Sequence, residues 1–391
     1  MLRRTMLKGI AAAAASGVLG RPAVAQSALK IGISIPMTGA GFSSVGRQLQ
    51  AAIKLYVQQH GDTVAGRKLE FIVRDDGGIA DNARRIIQEM IVNDKVDICA
   101  IGITPTAFAI APVVTEAKKV TLVLSSGGSI TTTKSPYFVR AAFILSQSSW
   151  IIGEWAASNG SKRVVTLVND WSPGAEAETA FKTRFTQLGG EIVESIRIPL
   201  ANPDFAPFLQ RITDLRPDTA FIFCPGPQAP IFAKQFAERG LHQAGIKIIG
   251  PGDLTDDDDL NNMGDQMLGI ITAGPYSASH DSALNKSYVE AFEKTNSFRP
   301  DFVSLGGYDG MHLIYEALKK TDGNTDGDTL IAAMKGMAWE SPRGPISIDP
   351  ETRDIVQNIY IRKVEKINGQ LWNNEFATYD AVKDPMKNGG K

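Results

Sequence analysis

Short apolar runs rich in β-branched residues alternate with longer amphipathic stretches between residues 29 and 249, and this alternation constrains the fold most. The apolar runs are residues 29–35, 69–73, 96–101, 120–124, 164–168, 219–224 and 246–249. The stretches with helical periodicity are residues 44–60, 82–93, 107–117, 175–188, 205–215 and 228–239. Strands with little polar/apolar alternation, joined through helices, are typical of parallel sheets covered on both faces. The pattern predicts an α/β protein.

The order of these segments predicts two such units, because a chain of 391 residues exceeds the size of one comfortable hydrophobic core. The part after residue 274 is less regular. It is predicted to contain helices at 284–296, 302–320 and 327–338 and strands at 346–348 and 355–364. A segment of this kind is too small to form its own core, so it must complete the earlier sheets. We expect the chain after Lys383 to be loose.

The N-terminus carries the features of an export signal. Three basic residues precede an apolar run over residues 9–19 that ends in Ala23-Val24-Ala25, the pattern of a signal peptide with a small-residue cleavage site. The run is too short to span a bilayer. We predict a signal peptide over residues 1–25, cleaved after Ala25. The stretch from Arg3 to Lys8 is twin-arginine-like, but Met6 stands where that pattern prefers Phe, so the export route stays open.

Loss of this signal removes Arg3, Arg4, Lys8 and Arg21 and no acidic residue, which changes the formal net charge from −1 to −5. A mildly acidic chain without a stripe of Lys and Arg lacks the electrostatic footprint for nucleic acid or anionic lipid. We therefore expect neither as a partner. No run after residue 25 is long and apolar enough to cross a bilayer, so the mature protein is expected to be soluble.

The two cysteines, Cys99 and Cys224, lie within apolar strand-like runs. We predict two buried free thiols rather than a disulfide, because small secreted disulfide scaffolds use many more cysteines. The four histidines are scattered, and no Cys/His spacing resembles a metal site. We expect no metal and no cofactor.

A Gly-rich loop follows the first predicted strand, and it matches neither familiar phosphate-binding pattern. The dinucleotide fingerprint requires Gly where Ser44 stands, and the P-loop requires Lys where Arg47 stands. What remains is a loop at the carboxyl end of a strand, which is where open α/β sheets bind their ligands. Phe42, Ser43 and Ser44 are therefore candidate ligand contacts, and a purely structural turn is the alternative.

Two further strand ends of the first unit carry hydroxyl groups. Thr106 is predicted to cap a helix that begins at Ala107, and the next strand runs into Ser126-Gly127-Gly128-Ser129. Hydroxyls and free amides on adjacent strand ends predict a carboxylate-binding cluster. The alternative is a set of helix caps and turns without a ligand. No Gly-x-Ser-x-Gly elbow surrounds these serines, so nucleophilic catalysis is disfavoured.

In the second unit, the loops after the equivalent strands carry Trp171, Gln228 and Asp253. Trp171 is predicted to stack on a ligand, and a partly exposed loop aromatic is the alternative. Asp253 is a candidate partner for a ligand ammonium group. The run from Asp256 to Asp259 is predicted to be a solvated helix start, because it lacks the spacing of a calcium loop.

Together these positions resemble the type I periplasmic binding proteins, in particular the branched-chain (leucine/isoleucine/valine) amino-acid binding family of ABC transporter substrate-binding proteins. The resemblance covers nearly the whole mature chain. Its carriers are short segments in a shared order and spacing: 30–33, 37–39, 74–76, 101–102, 125–129, 169–171, 250–251 and 306–310. The family implies two Rossmann-like lobes with parallel-type sheets, joined by three crossovers.

The resemblance places those crossovers near Ala142, Gly274 and Asp349. It implies that residues 27–142 plus 275–349 form lobe one, and that residues 143–274 plus 350–391 form lobe two.

The family also implies roles for particular residues. A hydroxyl residue that opens the third helix and the turn after the fourth strand hold the carboxylate of a bound amino acid, and these functions fall on Thr106, Gly127 and Ser129, with Ser126 in the same turn. The ligand-facing aromatic of the first loop falls near residues 42–45, from Phe42 to Val45.

This chain departs from the amino-acid receptors on the second lobe. Pro173 and Pro227 stand where those receptors usually carry tyrosines, and Gly252 stands in place of the acid that meets the ammonium, one position before Asp253. Some relatives with such changes resemble receptors for aromatic acids. Three aromatic side chains would suit a flat ring: Phe42, Trp171 and Tyr276.

The resemblance implies the substrate-binding component of an ABC importer, which captures a small carboxylate in the cleft between the lobes. The first expectation is a hydrophobic or branched-chain amino acid, and the alternative is an aromatic acid of the benzoate or hydroxycinnamate type. Membrane permease and ATPase subunits would be its partners, the periplasm its location and a monomer its state. Closure of the lobes requires no covalent chemistry, so we do not expect an enzyme. A sensory domain or an enzyme built on the same sheets are the alternatives from other classes.

Overall fold

A computed structural model describes residues 28–39, 41–200 and 203–387, so the predicted signal peptide lies outside the described residues. The strands are β1 (Leu29–Ile35), β2 (Thr63–Val64), β3 (Arg67–Asp75), β4 (Ile98–Ile101), β5 (Thr121–Val123), β6 (Phe138–Arg140), β7 (Arg163–Asn169), β8 (Glu191–Ile198), β9 (Thr219–Phe223), β10 (Lys247–Pro251), β11 (Ile271–Gly274), β12 (Ala338–Ser341), β13 (Gly344–Ile348), β14 (Ile355–Ile367) and β15 (Gln370–Val382). The helices are α1 (Ser43–His60), α2 (Ala80–Glu89), α3 (Thr104–Glu116), α4 (Leu145–Ser158), α5 (Ser172–Gln187), α6 (Ala206–Leu215), α7 (Gln228–Glu238), α8 (Leu260–Met263), α9 (Ala283–Thr295), α10 (Phe302–Lys320) and α11 (Gly327–Met334).

The first sheet has the strand order β2-β3-β1-β4-β5-β6, and all of its pairings are parallel except that of the short β2 with β3. Neighbouring residues of β4 point to opposite faces. Ile98 and Ala100 pack with α1 and α10, whereas Cys99 and Ile101 pack with α2 and α3. Helices on both faces explain why this strand is apolar at every position.

The second sheet has the order β12-β13-β14-β11-β10-β9-β7-β8, with β15 paired to β14. The strands β7 to β11 pair in parallel, and β14 joins β11 in antiparallel orientation. Helices α4 and α5 cover one face, and α6, α7 and α8 cover the other. The predicted α/β class with two lobes of mostly parallel sheets is confirmed.

The chain passes between the sheets after β6, after β11 and again between α11 and β12. Helices α9, α10 and α11 return to the core of the first sheet, as the sequence had predicted for a tail that completes earlier units. The strands β12 and β13 fall within residues 275–349, which were assigned to lobe one, but they pair with β14 in the second sheet. The limits of the two lobes stay a prediction.

Two further features differ from the sequence expectations. Helix α4 was not predicted, and ten of its fourteen residues are buried, so it has no polar face to produce an amphipathic pattern. The chain after Lys383 was expected to be loose; residues 388–391 lie outside the described residues, but Asp384 and Pro385 are buried. For these buried residues the expectation was wrong, because Asp384 accepts a hydrogen bond from Ser129 of the first lobe.

Cys99 and Cys224 are buried free thiols, as predicted. No helix within the described ranges is long and apolar enough to cross a membrane. In the same part of the chain, no group of three or more His, Cys, Asp and Glu side chains is arranged to hold a metal ion.

Candidate ligand site between the two lobes

Each sheet has a point where the strand order reverses. In the first sheet the chain goes from β1 to β3 on one side and then to β4 on the other, and in the second sheet it goes from β7 to β8 and then to β9. Ligands of open α/β sheets bind outside the carboxyl ends of the strands at such points.

We call residues 36–39, 41–44, 102–106 and 124–132 the first rim, and residues 169–176, 224–228 and 252–259 the second rim. They contain every sequence-predicted site residue except Tyr276.

Three hydroxyl groups form a chain along the first rim. The Oγ atoms of Thr104 and Ser126 are 2.8 Å apart, those of Ser126 and Thr131 are 2.9 Å apart, and Thr131 donates to the carbonyl of Gly128 at 2.7 Å. Because each hydroxyl has one proton, the last bond sets the direction of the others: Ser126 donates to Thr131, and Thr104 donates to Ser126. The protons of these three hydroxyls are therefore taken up within the protein, so an anion beside them would meet backbone amides instead.

Thr106 occupies a different position from the predicted one. Helix α3 begins at Thr104, three residues before the predicted start at Ala107, so Thr106 lies inside the first turn. Its side chain is fully buried and donates to the carbonyl of Ile103 at 2.9 Å. Thr104, which the sequence analysis missed, stands half-buried at the helix start, and the Pro105 that follows it is the signal that marks this start.

Ser129 is the point where the second lobe touches the first rim. Its amide donates to Glu176 Oε1 on α5 at 2.9 Å, and its hydroxyl donates to Asp384 Oδ1 at 2.9 Å. Burial raises the pKa of the Glu176 carboxyl, against the opposing effects of the Ser129 hydrogen bonds and of Arg140. A carboxylate of the protein itself thus occupies an amide that the sequence analysis had assigned to a ligand carboxylate. Glu176 was missed, because nothing in the pattern of α5 distinguishes it from other acidic helix residues.

Gly127 is needed for a close approach. A Cβ atom there would lie 2.5 Å from Cε2 of Phe143, so only glycine lets this ring pack onto the turn. The Phe143 ring is half-buried, directly after the first crossover, and it meets the ring of Phe302 edge to face with centroids 4.7 Å apart. Nothing in the sequence pattern marked Phe143 as a site residue.

The loop after β1 offers a half-buried ring and two exposed hydroxyls. Phe42 precedes α1, and its Cδ2 atom would lie 3.2 Å from a Cβ placed on Gly78. Ser43 and Ser44 open the helix and are exposed. These three predicted contacts therefore lie together at the first rim, and their role toward a ligand stays a prediction.

On the second rim, Trp171 directly precedes α5 and is half-buried. Its indole Nε1 is buried and has no hydrogen-bond partner among the residues that the structure describes. Gln228 has both ends of its amide engaged: it accepts from Asn169 at 2.8 Å and donates to the carbonyl of Leu200 at 2.6 Å. Gln228 therefore joins the start of α7 to the end of β7 and to the loop after β8, whereas the indole donor of Trp171 has no partner among the described residues.

The acidic part of the second rim is more buried than predicted. Burial raises the pKa of Asp253 to about 6, opposed by its own backbone amide and by Arg362. The run from Asp256 was expected to be solvated, but Asp257 is 2% exposed and lies 3.7 Å from Arg362, and Asp258 pairs with Arg47 of α1 at 2.5 Å. For Asp257 and Asp258 the expectation was wrong, because arginines that are distant in sequence supply their counter-charges. Asp259 is exposed directly before α8, as predicted.

Tyr276 is the predicted site residue that the structure keeps outside the rims. It is fully buried in the core of the first sheet, and its hydroxyl donates to Asn285 Oδ1 at 2.9 Å. Of the three aromatic residues expected to suit a flat ring, only Phe42 and Trp171 keep exposed surface.

Two α/β lobes whose switch-point rims face one another, and which touch through Glu176–Ser129 and Arg47–Asp258, define a two-lobed binding protein. The chain belongs to the periplasmic binding protein family, because the sequence profile of that family matches residues 28–370. It is a solute-binding protein of an ABC transporter. Proteins of this family bind small molecules, work with membrane components of importers and reside in the periplasm.

Three relatives place the chain within this family. It is 40% identical over 374 residues to Leu/Ile/Val-binding protein homolog 6 of Brucella melitensis, which covers 94% of this chain and 95% of the relative. It is 61% identical to an ABC-transporter solute-binding protein of Rhodopseudomonas palustris BisB5, solved with 3,4-dihydroxybenzoic acid, with a TM-score of 0.88 over 92% of this chain and 99% of the other.

The third relative is a solute-binding protein of Rhodopseudomonas palustris HaA2, solved with p-hydroxybenzoic acid. It is 40% identical, with a TM-score of 0.86 over 91% of this chain and 98% of the other.

Proposed function

We propose that this protein captures an aromatic carboxylate of the hydroxybenzoate class between its lobes and delivers it to the permease and ATPase subunits of an ABC importer. The observation that carries the proposal is the 61% identity, over 92% of the chain, to a protein solved with 3,4-dihydroxybenzoic acid. The exported, cleaved form after Ala25 would act as a monomer in the periplasm.

The chemistry of the two rims supports this ligand class. Amides of the first rim, at Gly127 and Ser129, suit a carboxylate, as the Glu176 carboxylate on Ser129 illustrates. Phe42 and Trp171 are half-buried rings at the rims and suit a flat ligand. Asp253 on the second rim is an acceptor for a ring hydroxyl.

A hydrophobic amino acid is the second candidate, and a specific observation favours it. The curated relative at 40% identity is named as a Leu/Ile/Val-binding protein homolog. In this case Asp253 would meet the ammonium group, and the carboxylate would take the same amides of the first rim. The two candidates therefore differ only in what the second rim contacts.

The mechanism that we propose is closure without chemistry. The ligand first meets the amides of the first rim, and rotation of the second lobe then excludes water from it. We propose no catalytic residue and no cofactor. Ligand should reduce the radius of gyration measured by small-angle scattering, without a change in molecular mass.

Calorimetry on the mature protein tests the proposal. Titrations with 3,4-dihydroxybenzoate, 4-hydroxybenzoate, benzoate and leucine should show tightest binding for a hydroxylated benzoate. Binding of leucine at least tenfold tighter than any aromatic acid would instead establish the second candidate. The methyl ester of 4-hydroxybenzoate is the matched control, and it should bind at least tenfold more weakly because it lacks the anion.

A further inference from the structure

The last described residues, 383–387, return from the second sheet to the first lobe, and we call them the C-terminal segment. Within it, Asp384 is 3% exposed. Its Oδ1 atom accepts from the hydroxyls of Ser129 at 2.9 Å and of Ser146 at 2.8 Å, and from the amide of Met386 at 3.0 Å. The hydroxyl of a first-rim residue is therefore held by a carboxylate at the opposite end of the chain.

A second contact of the same segment lies three residues further on. The Lys387 ammonium group contacts Thr132 Oγ1 and Asp354 Oδ2, each at 2.5 Å. Asp354 also pairs with the buried Arg140 at 3.1 Å, and Arg140 donates to the carbonyl of Gly128 at 2.6 Å. The first rim is thus tied on both sides of Ser129.

These contacts restrict the turn from residue 127 to residue 132, which we call the Ser129 turn. Hydrogen bonds to a buried charge are shorter and more directional than neutral ones, so the Ser129 hydroxyl has one favoured orientation. With the hydroxyl turned to Asp384, the Ser129 amide remains for the cleft, where it meets Glu176 across the lobes. Ser129 thus contacts the C-terminal segment through its hydroxyl and the second lobe through its amide.

We propose that Asp384 is a positioning residue for ligand binding: through Ser129 and Ser146, the C-terminal segment holds the amides of the Ser129 turn in the orientation that receives the ligand carboxylate. This inference rests on the proposed function, because it assumes that an anionic ligand meets this turn. Asp384 itself does not touch the ligand.

Two substitutions separate positioning from general stability. Asp384→Ala removes the acceptor of both hydroxyls, whereas Asp384→Asn keeps one oxygen in place and should restore most of the effect. We expect the dissociation constant for 3,4-dihydroxybenzoate to rise about tenfold in Asp384→Ala and less than about threefold in Asp384→Asn. Asp380→Ala is the matched control, because Asp380 is an exposed aspartate on β15, outside the C-terminal segment. Its affinity should equal that of the wild type.

Amide hydrogen exchange on the ligand-free protein gives a readout that needs no ligand. Exchange should rise in the Ser129 turn of Asp384→Ala while the strands of both sheets remain protected. If Asp384→Ala fails to fold, Ser146→Ala makes a smaller change in the same cluster, with a two- to threefold loss of affinity expected.

The inference is overturned if Asp384→Ala binds ligand as tightly as Asp380→Ala, or if exchange in the turn is unchanged. If the wild-type protein bound leucine and no aromatic acid, the proposed ligand would be wrong, but the role of Asp384 would not be tested by that result. The same series of variants, titrated with leucine, would then still decide the role of Asp384.

Discussion

The two rims of the cleft are built from opposite chemistry. The first rim is neutral, and its Thr104, Ser126 and Thr131 hydroxyls bond to one another in a fixed direction. The second rim is acidic, and burial raises the pKa of Asp253 and of Asp257. These three hydroxyls of the first rim are thus bonded within the protein, whereas the buried acids of the second rim depend on distant arginines and on pH.

This difference suits a ligand with two unlike ends. A rim of amides with fixed orientation can receive an anion without reorganisation, and a rim of acids can receive hydrogen-bond donors. Both a hydroxybenzoate and an amino acid have this polarity. Under the proposed function, we expect the rims to set the direction of the ligand in the cleft and the second rim to choose between the two classes.

The prediction with the largest expected effect tests whether the stability of the acidic second rim depends on Arg362. This side chain is 1% exposed, lies 3.7 Å from Asp257, and donates to the carbonyls of Tyr276 and Gly252. Arg362→Met should lower the free energy of unfolding by about 3–5 kcal/mol, because Asp257 would be left as an uncompensated buried charge. Denaturant unfolding measures this.

Lys366→Met is the control on the same strand. Its partner is Asp265 at 2.9 Å on the surface, and the loss should be below about 1 kcal/mol. Equal losses of unfolding free energy in the two variants would show that the buried Arg362 stabilises the second rim no more than a surface ion pair does.

The next effect tests how tightly the first rim is packed. Gly127→Ala places a Cβ atom 2.5 Å from the Phe143 ring and should cost about 1–3 kcal/mol of stability. Gly128→Ala is the neighbouring control, since its Cβ would lie 3.3 Å from Thr104 Cγ2, and its cost should be smaller. Thermal unfolding of both variants measures the two costs. A Gly127→Ala variant as stable as the wild type would show that the turn adjusts to the extra Cβ atom without a loss of packing.

A smaller effect is expected from pH on the second rim. Asp253 has a pKa of about 6 in the folded protein against 3.8 for the unperturbed group. As pH falls through about 6, Asp253 therefore takes up a proton in the folded state but not in the unfolded state. The free energy of unfolding should increase between pH 7.5 and pH 5.5 for this reason, by at most about 1 kcal/mol.

Asp253→Asn should not show this gain in stability at the lower pH. Melting temperatures of wild type and variant at the two pH values measure it, and parallel pH profiles would show that Asp253 does not titrate in this range.

The smallest effect concerns the contact between the rims. Glu176→Gln can still accept from the Ser129 amide but carries no charge, so a ligand carboxylate meets a weaker competitor and less repulsion. Affinity for 4-hydroxybenzoate should increase by about threefold, equivalent to about 0.7 kcal/mol. Glu191→Gln, on the exposed start of β8, is the control and should bind as the wild type does. Weaker binding by Glu176→Gln would make Glu176 a closing contact rather than a competitor.

Local pattern determined much of this protein. The apolar runs at 29–35 and 219–224 became β1 and β9, and the loops that follow the strands hold the rims, because parallel strands place their carboxyl ends at one edge of a sheet. Helix α4 was not predicted, because a helix with most of its residues buried has no periodic polar face.

Other features were decided only by the tertiary structure. Ser129 and Asp384 are 255 positions apart, and Arg47 and Asp258 are 211 apart. Tyr276 has a hydroxyl and a ring that suit a ligand, but the fold places it in a core with Asn285 as its partner. Periodicity and turn chemistry act over a few residues, whereas the pairing of buried charges depends on which segments the fold brings together, and no local pattern encodes that.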